Sequence, residues 1–374
     1  MSRGGAWRAK SIARSLGGGL YSPGSRRQAR ALAQARAPGG QEASGSDTIS
    51  SVCVVGAGTL GTQVALQVAI SGFRVSVLDV TDSALDRCRE EHKSLLQQYV
   101  SRELQGNQAR AWKGLASSGT EASEVAANAL ARLSYTTDPA EAASSCDLVS
   151  ENVPEVPAIK AATYANLSKH APSHAIFTSN SSTLLPSDFA DVTGRPDRFC
   201  ALHFANGIWD ANIGEVMPHP GTDPAVAAKV LRFAEDIGMV PFLLRKEHNG
   251  YLINALLVPW LASSLTLVQK GVSVPRDVDR AWLISTGGFE ASPGSVRGPF
   301  QIMDIIGLPL VSGVMTYWGE HLKDEQMVAN GLFVKEQYID RQKVGIMNGD
   351  PTKDAAEGFY TYPNPEFMQA GFLD

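Results

Sequence analysis

Residues 56 to 61 read Gly-Ala-Gly-Thr-Leu-Gly, and a carboxylate, Asp79, closes the next apolar run. Glycines in this pattern allow a tight turn, close approach of a pyrophosphate and packing of a helix on a strand. The free N–H groups and dipole of a helix that starts there would face the phosphates. A strand-to-helix turn can use the same residues for structure alone. The context separates the two readings, because an apolar strand precedes the glycines, an apolar helix follows, and Asp79 sits where a ribose would be. Asp79 can accept from both ribose hydroxyls but would repel a 2'-phosphate, and Val80 and Thr81 supply no arginine to neutralise one. NAD is therefore expected over NADP, and with it hydride transfer.

Such a turn needs a parallel sheet behind it. The run from Ser50 to Asp79 reads as strand, glycine turn, apolar helix, turn at Gly72 and second strand, a βαβ unit. A helix is expected from Asp82 to Leu104, with Leu85, Cys88, Leu95, Leu96 and Tyr99 on its apolar face. Residues 105 to 130 carry no clear pattern. Alternation resumes with a strand near Tyr135, strand Asp147 to Val153, helix Ala158 to His170, and strands Ala175 to Ser179 and Arg198 to Phe204. The fold class expected is α/β, a Rossmann-type doubly wound sheet domain followed by an all-helical C-terminal domain, since segments after Lys246 read as helices. The domain limits read as 1–47 for a targeting or disordered segment, 48–246 for the NAD-binding domain and 247–374 for a helical domain. The Gly/Ser-rich stretch Thr286 to Gly298 reads as a loop between helices.

Composition narrows the partners. A formal net charge of -5 over 374 residues gives no broad electrostatic footprint for nucleic acid, which favours a small-molecule substrate. Cys53, Cys88, Cys146 and Cys200 have no CxxC or Cys/His metal spacing, so buried thiols and no metal site are expected. No apolar run approaches the roughly 20 residues of a membrane helix. Met1 to Gln41 holds no acidic residue, while Arg3, Arg8, Lys10, Arg14, Arg26, Arg27, Arg30 and Arg36 stand among Ser, Ala and Gly. That is transit-peptide composition, and a mitochondrial matrix address is expected, with cytoplasm or plastid as alternatives.

Three further segments carry a resemblance. Thr178-Ser179-Asn180-Ser181-Ser182-Thr183-Leu184, then Leu202-His203-Phe204-Ala205-Asn206, with Glu215 twelve residues after His203, resemble the 3-hydroxyacyl-CoA dehydrogenase family. The similarity runs from about Ser50 to Tyr362, through Gly250-Tyr251-Leu252-Ile253-Asn254 and Gly298-Pro299-Phe300 to Glu357-Gly358-Phe359-Tyr360. The resemblance implies His203 as catalytic base, Glu215 as its partner, Ser182 as a substrate hydrogen-bonder and Asn254 as the active-site asparagine. It implies Glu155 and Lys160 as nicotinamide-ribose contacts beside Gly56, Gly58, Gly61 and Asp79. Family contacts to CoA fall on the long helix, where Ser94, Lys93, Arg87 and Arg102 are available.

The chemistry fits these residue types. Oxidising a secondary alcohol requires loss of the hydroxyl proton as hydride leaves the carbon, and a histidine oriented by a carboxylate suits that step. The reaction implied is NAD-dependent oxidation of a (S)-3-hydroxyacyl-CoA to the 3-ketoacyl-CoA, in fatty-acid or butanoate metabolism, by a homodimer. Ala205, Gly207 and Trp209 depart from the family's usual second phenylalanine and proline, which makes a free 3-hydroxy acid of the gulonate or carnitine type a second reading. A non-catalytic NAD-binding scaffold is a third, and the presence of all four site residues opposes it.

Overall fold

Ser51–Val55 (β1) is buried at every residue because both faces of its sheet are covered, which is why it reads as a continuous apolar run. Val52 and Val54 join one cluster with Leu148 and Ile176, while Cys53 and Val55 join another with Val149 and Phe177. The computed structural model describes residues 48–286, 297–347, 349 and 351–373. The chain folds into two compact units, the first ending at Tyr251 and the second starting at Leu252.

In the first unit β1 pairs in parallel with Arg74–Leu78 (β2) on one side and Leu148–Glu151 (β4) on the other. With Leu133–Thr136 (β3), Ile176–Ser179 (β5), Phe199–Phe204 (β6), Ile213–Pro218 (β7) and Val240–Leu243 (β8), the sheet runs β3-β2-β1-β4-β5-β6-β7-β8. The order reverses between β1 and β4, and a crevice at the carboxyl ends of the strands at such a switch point is where this fold binds its ligand. Within this sheet only the β6–β7 pair is antiparallel. Helix Thr59–Ile70 (α1) is apolar nearly all round and has nine buried residues, as a helix enclosed by the sheet and other helices must be. Helix Asp82–Leu104 (α2) starts at Thr81, whose hydroxyl caps the Ala84 N–H at 3.3 Å.

The unpatterned stretch after α2 contains a 3-10 turn, Arg110–Trp112, and a helix, Gly119–Ala131 (α3), that is rich in small residues. Short helix Pro139–Ala143 (α4) and helix Pro157–Leu167 (α5) lead into β4 and β5. The alternation read up to Phe204 extends through β7, helix Pro224–Asp236 (α6) and β8. The first unit ends at Tyr251, which packs with Ala201, Met217 and Leu244. All four cysteines are free and buried.

The second unit contains helices Ile253–Gln269 (α7), Pro275–Ser285 (α8), Pro299–Ile306 (α9), Leu308–Leu322 (α10) and Glu325–Gln337 (α11). A two-stranded ladder, Ala356–Glu357 (β9) with Thr361–Tyr362 (β10), adds the one departure from all-helical character among the described residues. Its core is built on Leu261, Leu265, Phe300, Met303, Val311, Met315 and Val334. Two family-like motifs have structural causes here. Asp279 on α8 accepts from the Phe300 and Gln301 N–H groups at 2.9 and 3.2 Å, capping α9, and from the Tyr360 hydroxyl at 2.7 Å. A Cβ at Gly298 would stand 2.3 Å from the Asp279 carboxyl carbon, so the residue before Pro299 must be glycine. Asp304 on α9 accepts from Phe359 and Tyr360 N–H at 2.8 and 2.9 Å, and a Cβ at Gly358 would meet it at 2.1 Å. No single described helix is long and apolar enough to cross a membrane. The targeting segment and most of the Thr286 to Gly298 loop lie outside the described residues.

Candidate functional site

His203 and Glu215 face each other because the β6–β7 register pairs them directly. In an antiparallel pair, opposed residues project to the same face. The His203 Nδ1 to Glu215 Oε2 distance is 2.7 Å, and the two residues are 5% and 0% exposed. A carboxylate there can only accept, so Nδ1 carries the hydrogen and the Nε2 lone pair points away from Glu215. Nε2 lies 3.0 Å from the Ser182 hydroxyl, which donates to it in this tautomer. The spacing of twelve residues thus becomes a line of three side chains, Glu215, His203 and Ser182.

Tyr251 covers the imidazole. Its ring centroid is 4.7 Å from that of His203 at an interplanar angle of 31°, and its φ of 55° is a left-handed conformation unusual for an aromatic residue. The Tyr251 hydroxyl is buried with no hydrogen-bond partner, and burial pushes its pKa well above the ordinary phenol value, with Glu155 and Glu215 adding to the rise.

Ser182 belongs to a turn in which almost every side chain is tied down. The Ser179 hydroxyl donates to Glu151 Oε2 at 3.0 Å. Asn180 bridges Asn152 and the Phe204 N–H, linking the turn to the end of β6. Ser181 and Thr183 both donate hydroxyl hydrogens to Glu155 Oε1, the latter at 2.8 Å. Asn249 donates to the Thr183 carbonyl at 2.8 Å.

Glu151 and Lys160 lie beneath this turn, 0% and 1% exposed. Lys160 Nζ is 2.7 Å from Glu151 Oε1 and 3.1 Å from Glu155 Oε2, with the Val153 carbonyl at 3.4 Å. Glu151 also accepts from Tyr164 Oη at 2.6 Å and the Val153 N–H at 2.8 Å. Burial raises the Glu155 pKa, but the charge of Lys160 and the hydrogen bonds from Ser181, Thr183 and Lys160 bring it below the ordinary carboxylate value. Sequence reasoning missed Glu151 and Tyr251. An acid ending the apolar strand Leu148-Val149-Ser150 was the available signal for the first.

The glycine turn meets the needs of a dinucleotide. Gly56 has φ 98°, and a Cβ there would stand 2.5 Å from the Asn152 carbonyl; a Cβ on Gly61 would lie 1.9 Å from the Gly56 carbonyl. Both are required by the chain itself. A Cβ on Gly58 would meet nothing within 4 Å, so that glycine leaves open space at the start of α1, whose N-terminus has no side-chain cap. A phosphate fits such a surface. Asp79 accepts from the Ala57 N–H at 2.8 Å, which places its half-buried carboxylate at the rim of the turn.

The loop after His203 is held by packing. Trp209 stacks on Trp112 at 5.4 Å, Trp112 donates to Gln67, and Arg102 lies over Trp112 while pairing twice with Asp210 at 2.8 and 2.9 Å. The bulk of Trp209 is taken up by the stretch after α2. On α2, Lys93 pairs with Glu90. Asn254 belongs to the second unit, half-buried in the first turn of α7.

Residues 51–248 match the family described as 3-hydroxyacyl-CoA dehydrogenase, NAD binding domain, and residues 250–362 match its C-terminal domain. Among curated proteins, the mitochondrial hydroxyacyl-coenzyme A dehydrogenase of Sus scrofa is 29% identical over 84% of this chain and 91% of its own length. A 3-hydroxybutyryl-CoA dehydrogenase of Mycobacterium tuberculosis is 27% identical over 85% of this chain and 100% of its own. Among solved structures, a diketoreductase described as performing substrate-directed dual catalysis of dicarbonyl compounds is 38% identical, with a TM-score of 0.71, covering 84% of this chain and 99% of its own.

Proposed function

Since the chain belongs to the 3-hydroxyacyl-CoA dehydrogenase family and is an NAD-binding oxidoreductase, we propose that it interconverts a (S)-3-hydroxyacyl-CoA and the 3-ketoacyl-CoA, with His203 as the base. The observation that carries this reading is the Glu215–His203–Ser182 line, which leaves one imidazole lone pair directed at a hydroxyl. A substrate alcohol that joins or displaces the Ser182 hydroxyl at Nε2 gives its proton to the ring, and Glu215 stabilises the imidazolium that forms. Ser182 then holds the oxygen as it becomes a carbonyl. NAD supplies the hydride acceptor when bound.

Gly56, Gly58, Gly61 and Asp79 are the residues proposed to hold the pyrophosphate and ribose. Glu155 retains a side chain 39% exposed and can reach a ribose hydroxyl, whereas Lys160 directs its ammonium to Glu151, Glu155 and Val153 and would serve the cofactor through Glu155. Asn254 is retained as the asparagine that holds the thioester carbonyl on its motif alone. The acid-free segment Met1 to Gln41 and the mitochondrial relatives support a mitochondrial matrix location. A homodimer is kept as the assembly that the family resemblance implies.

A second reading has its own support. The diketoreductase is more similar in sequence, at 38%, than the Sus scrofa enzyme at 29%. That reading is a free dicarbonyl compound or 3-hydroxy acid as substrate. NADH oxidation measured with acetoacetyl-CoA beside free 3-keto acids and simple diketones separates them. A kcat/KM higher for the thioester supports the first reading, and comparable or higher values for the free compounds replace it with the second.

A further inference from the structure

We infer that buried Glu151 and Lys160 and the partly exposed Glu155 form a strap of alternating charge whose task is to fix the Ser182 turn, making Glu151, Ser181 and Thr183 positioning residues for the reaction. This rests on the reading of Ser182 and His203 as the reacting pair. The strap begins at Glu151, whose Oε2 holds the Ser179 hydroxyl at one end of the turn. Its other oxygen holds Lys160 at 2.7 Å, and Lys160 reaches Glu155 at 3.1 Å. Glu155 grips Ser181 and Thr183, the two neighbours of Ser182 in sequence. Ser182 is thereby clamped on both sides while its own hydroxyl stays free for His203 Nε2 at 3.0 Å.

The charges are disposed to hold that geometry. Lys160 is 1% exposed, and a buried ammonium is tolerated only when paired and hydrogen-bonded. The lysine is thus committed to the two carboxylates, and it keeps Glu155 ionised and able to accept from both hydroxyls. If the strap loosens, Ser182 shifts relative to an imidazole that Glu215 holds independently on the β6–β7 ladder.

The experiment cuts the strap at its far end with Ser181→Ala combined with Thr183→Val, and Thr183→Val alone is run beside it because Ser181 Oγ also accepts from the Thr183 and Leu184 N–H groups within the turn. Turnover of 3-ketoacyl-CoA or diketone, NADH affinity and the imidazole 15N signals of His203 are measured in the wild-type and Ser182→Ala backgrounds. In the wild-type background the pair lowers kcat by at least ~10-fold and up to about 10²-fold, the scale of a small misplacement at a reacting centre. The loss persists at saturating NADH, and the Nε2 signal moves toward its position in Ser182→Ala while the Nδ1 signal does not. In the Ser182→Ala background the same pair costs nothing further. An unchanged kcat and Nε2 signal, losses that add in both backgrounds, or a loss explained by weaker NADH binding would overturn the strap. If neither Ser182→Ala nor His203→Ala affects turnover, the catalytic reading fails, while the Nε2 signal still decides whether the strap places Ser182.

Discussion

The two units bury acidic side chains in opposite ways. In the first, buried Glu151 and the partly exposed Glu155 are matched with the ammonium of Lys160, and buried Glu215 with the imidazole of His203. In the second, the donors to Asp279 and Asp304 are backbone N–H groups and tyrosine hydroxyls. Neutral donors fix chain geometry, here the cap of α9 and the turn at Gly358, without cancelling the cost of burying charge. Burial accordingly lifts Asp279 to about 7 and Asp304 to about 6, despite three donors each. A charge needed for chemistry must stay charged, and the first unit keeps a cation or a titrating ring beside each of these carboxylates.

Lys160→Met tests the comparison most severely. It strands Glu151 in a buried site, and denaturant unfolding should show a loss of about 3–5 kcal/mol, the usual cost of breaking a buried pair from one side. Asp279→Asn in the second unit should cost less, about 1–3 kcal/mol, because the donors it leaves unmatched are neutral. Equal losses would erase the distinction drawn between the units.

The next effect is catalytic. His203→Ala and Glu215→Gln should each lower kcat by roughly 10² or more, the scale of general acid–base groups. The double variant should fall well short of the product, since Glu215 has no imidazolium to stabilise once the ring is gone. Strictly additive losses in kcat would separate the pair into independent groups.

Acidity should act on the two units with opposite sign. His92, buried on α2 between the Thr62 carbonyl and the Tyr135 hydroxyl, is held down to about 4 by desolvation. Its unfolded form takes a proton near 6.5, so its contribution is lost as pH falls from about 6.5 toward 4. Asp279 and Asp304 keep protons in the folded state that the unfolded chain releases near 4, so their contribution is lost as pH rises from about 4 toward 7. Hydrogen exchange, corrected for intrinsic rates, should show α2 losing protection on acidification and α9 losing it as pH rises. Slopes of the same sign, or slopes that persist in His92→Gln and Asp304→Asn, would count against this account.

The smallest effect concerns Tyr251. Its buried hydroxyl lacks a partner, so Tyr251→Phe should leave the free protein unchanged or more stable by about 1 kcal/mol. A clear drop in Tm would mean that the hydroxyl supports the fold.

Much of this was legible in the sequence where local pattern and tertiary role coincide. The βαβ unit from Ser51 to Leu78 and the span of α2 follow from apolar periodicity, because each element buries a defined face. The strand β8 was harder, being four residues long and carrying exposed Val240 and Phe242. The site shows the same division. His203 and Glu215 stand out through motif and spacing, but the role of Lys160 does not, since a glutamate and a lysine five residues apart on a helix ordinarily mark a solvated face. The partner that buries Lys160 is Glu151 on a different element, and Asp279 likewise meets its donors across 21 residues of chain.

The direct opposition of His203 and Glu215 also bears on how such a protein can be altered. Because the ladder sets their alignment, the proposed proton-handling pair does not depend on the exposed residues of the connecting segment from Ala205 to Asn212, whereas Ile208 and Trp209 within it are tied to the core of the first unit. A slip of one residue within the ladder, by contrast, would turn Glu215 to the opposite face of the sheet and abolish it. Variation is thus tolerated at the exposed positions of the connecting segment and not within the ladder or at the packed Ile208 and Trp209.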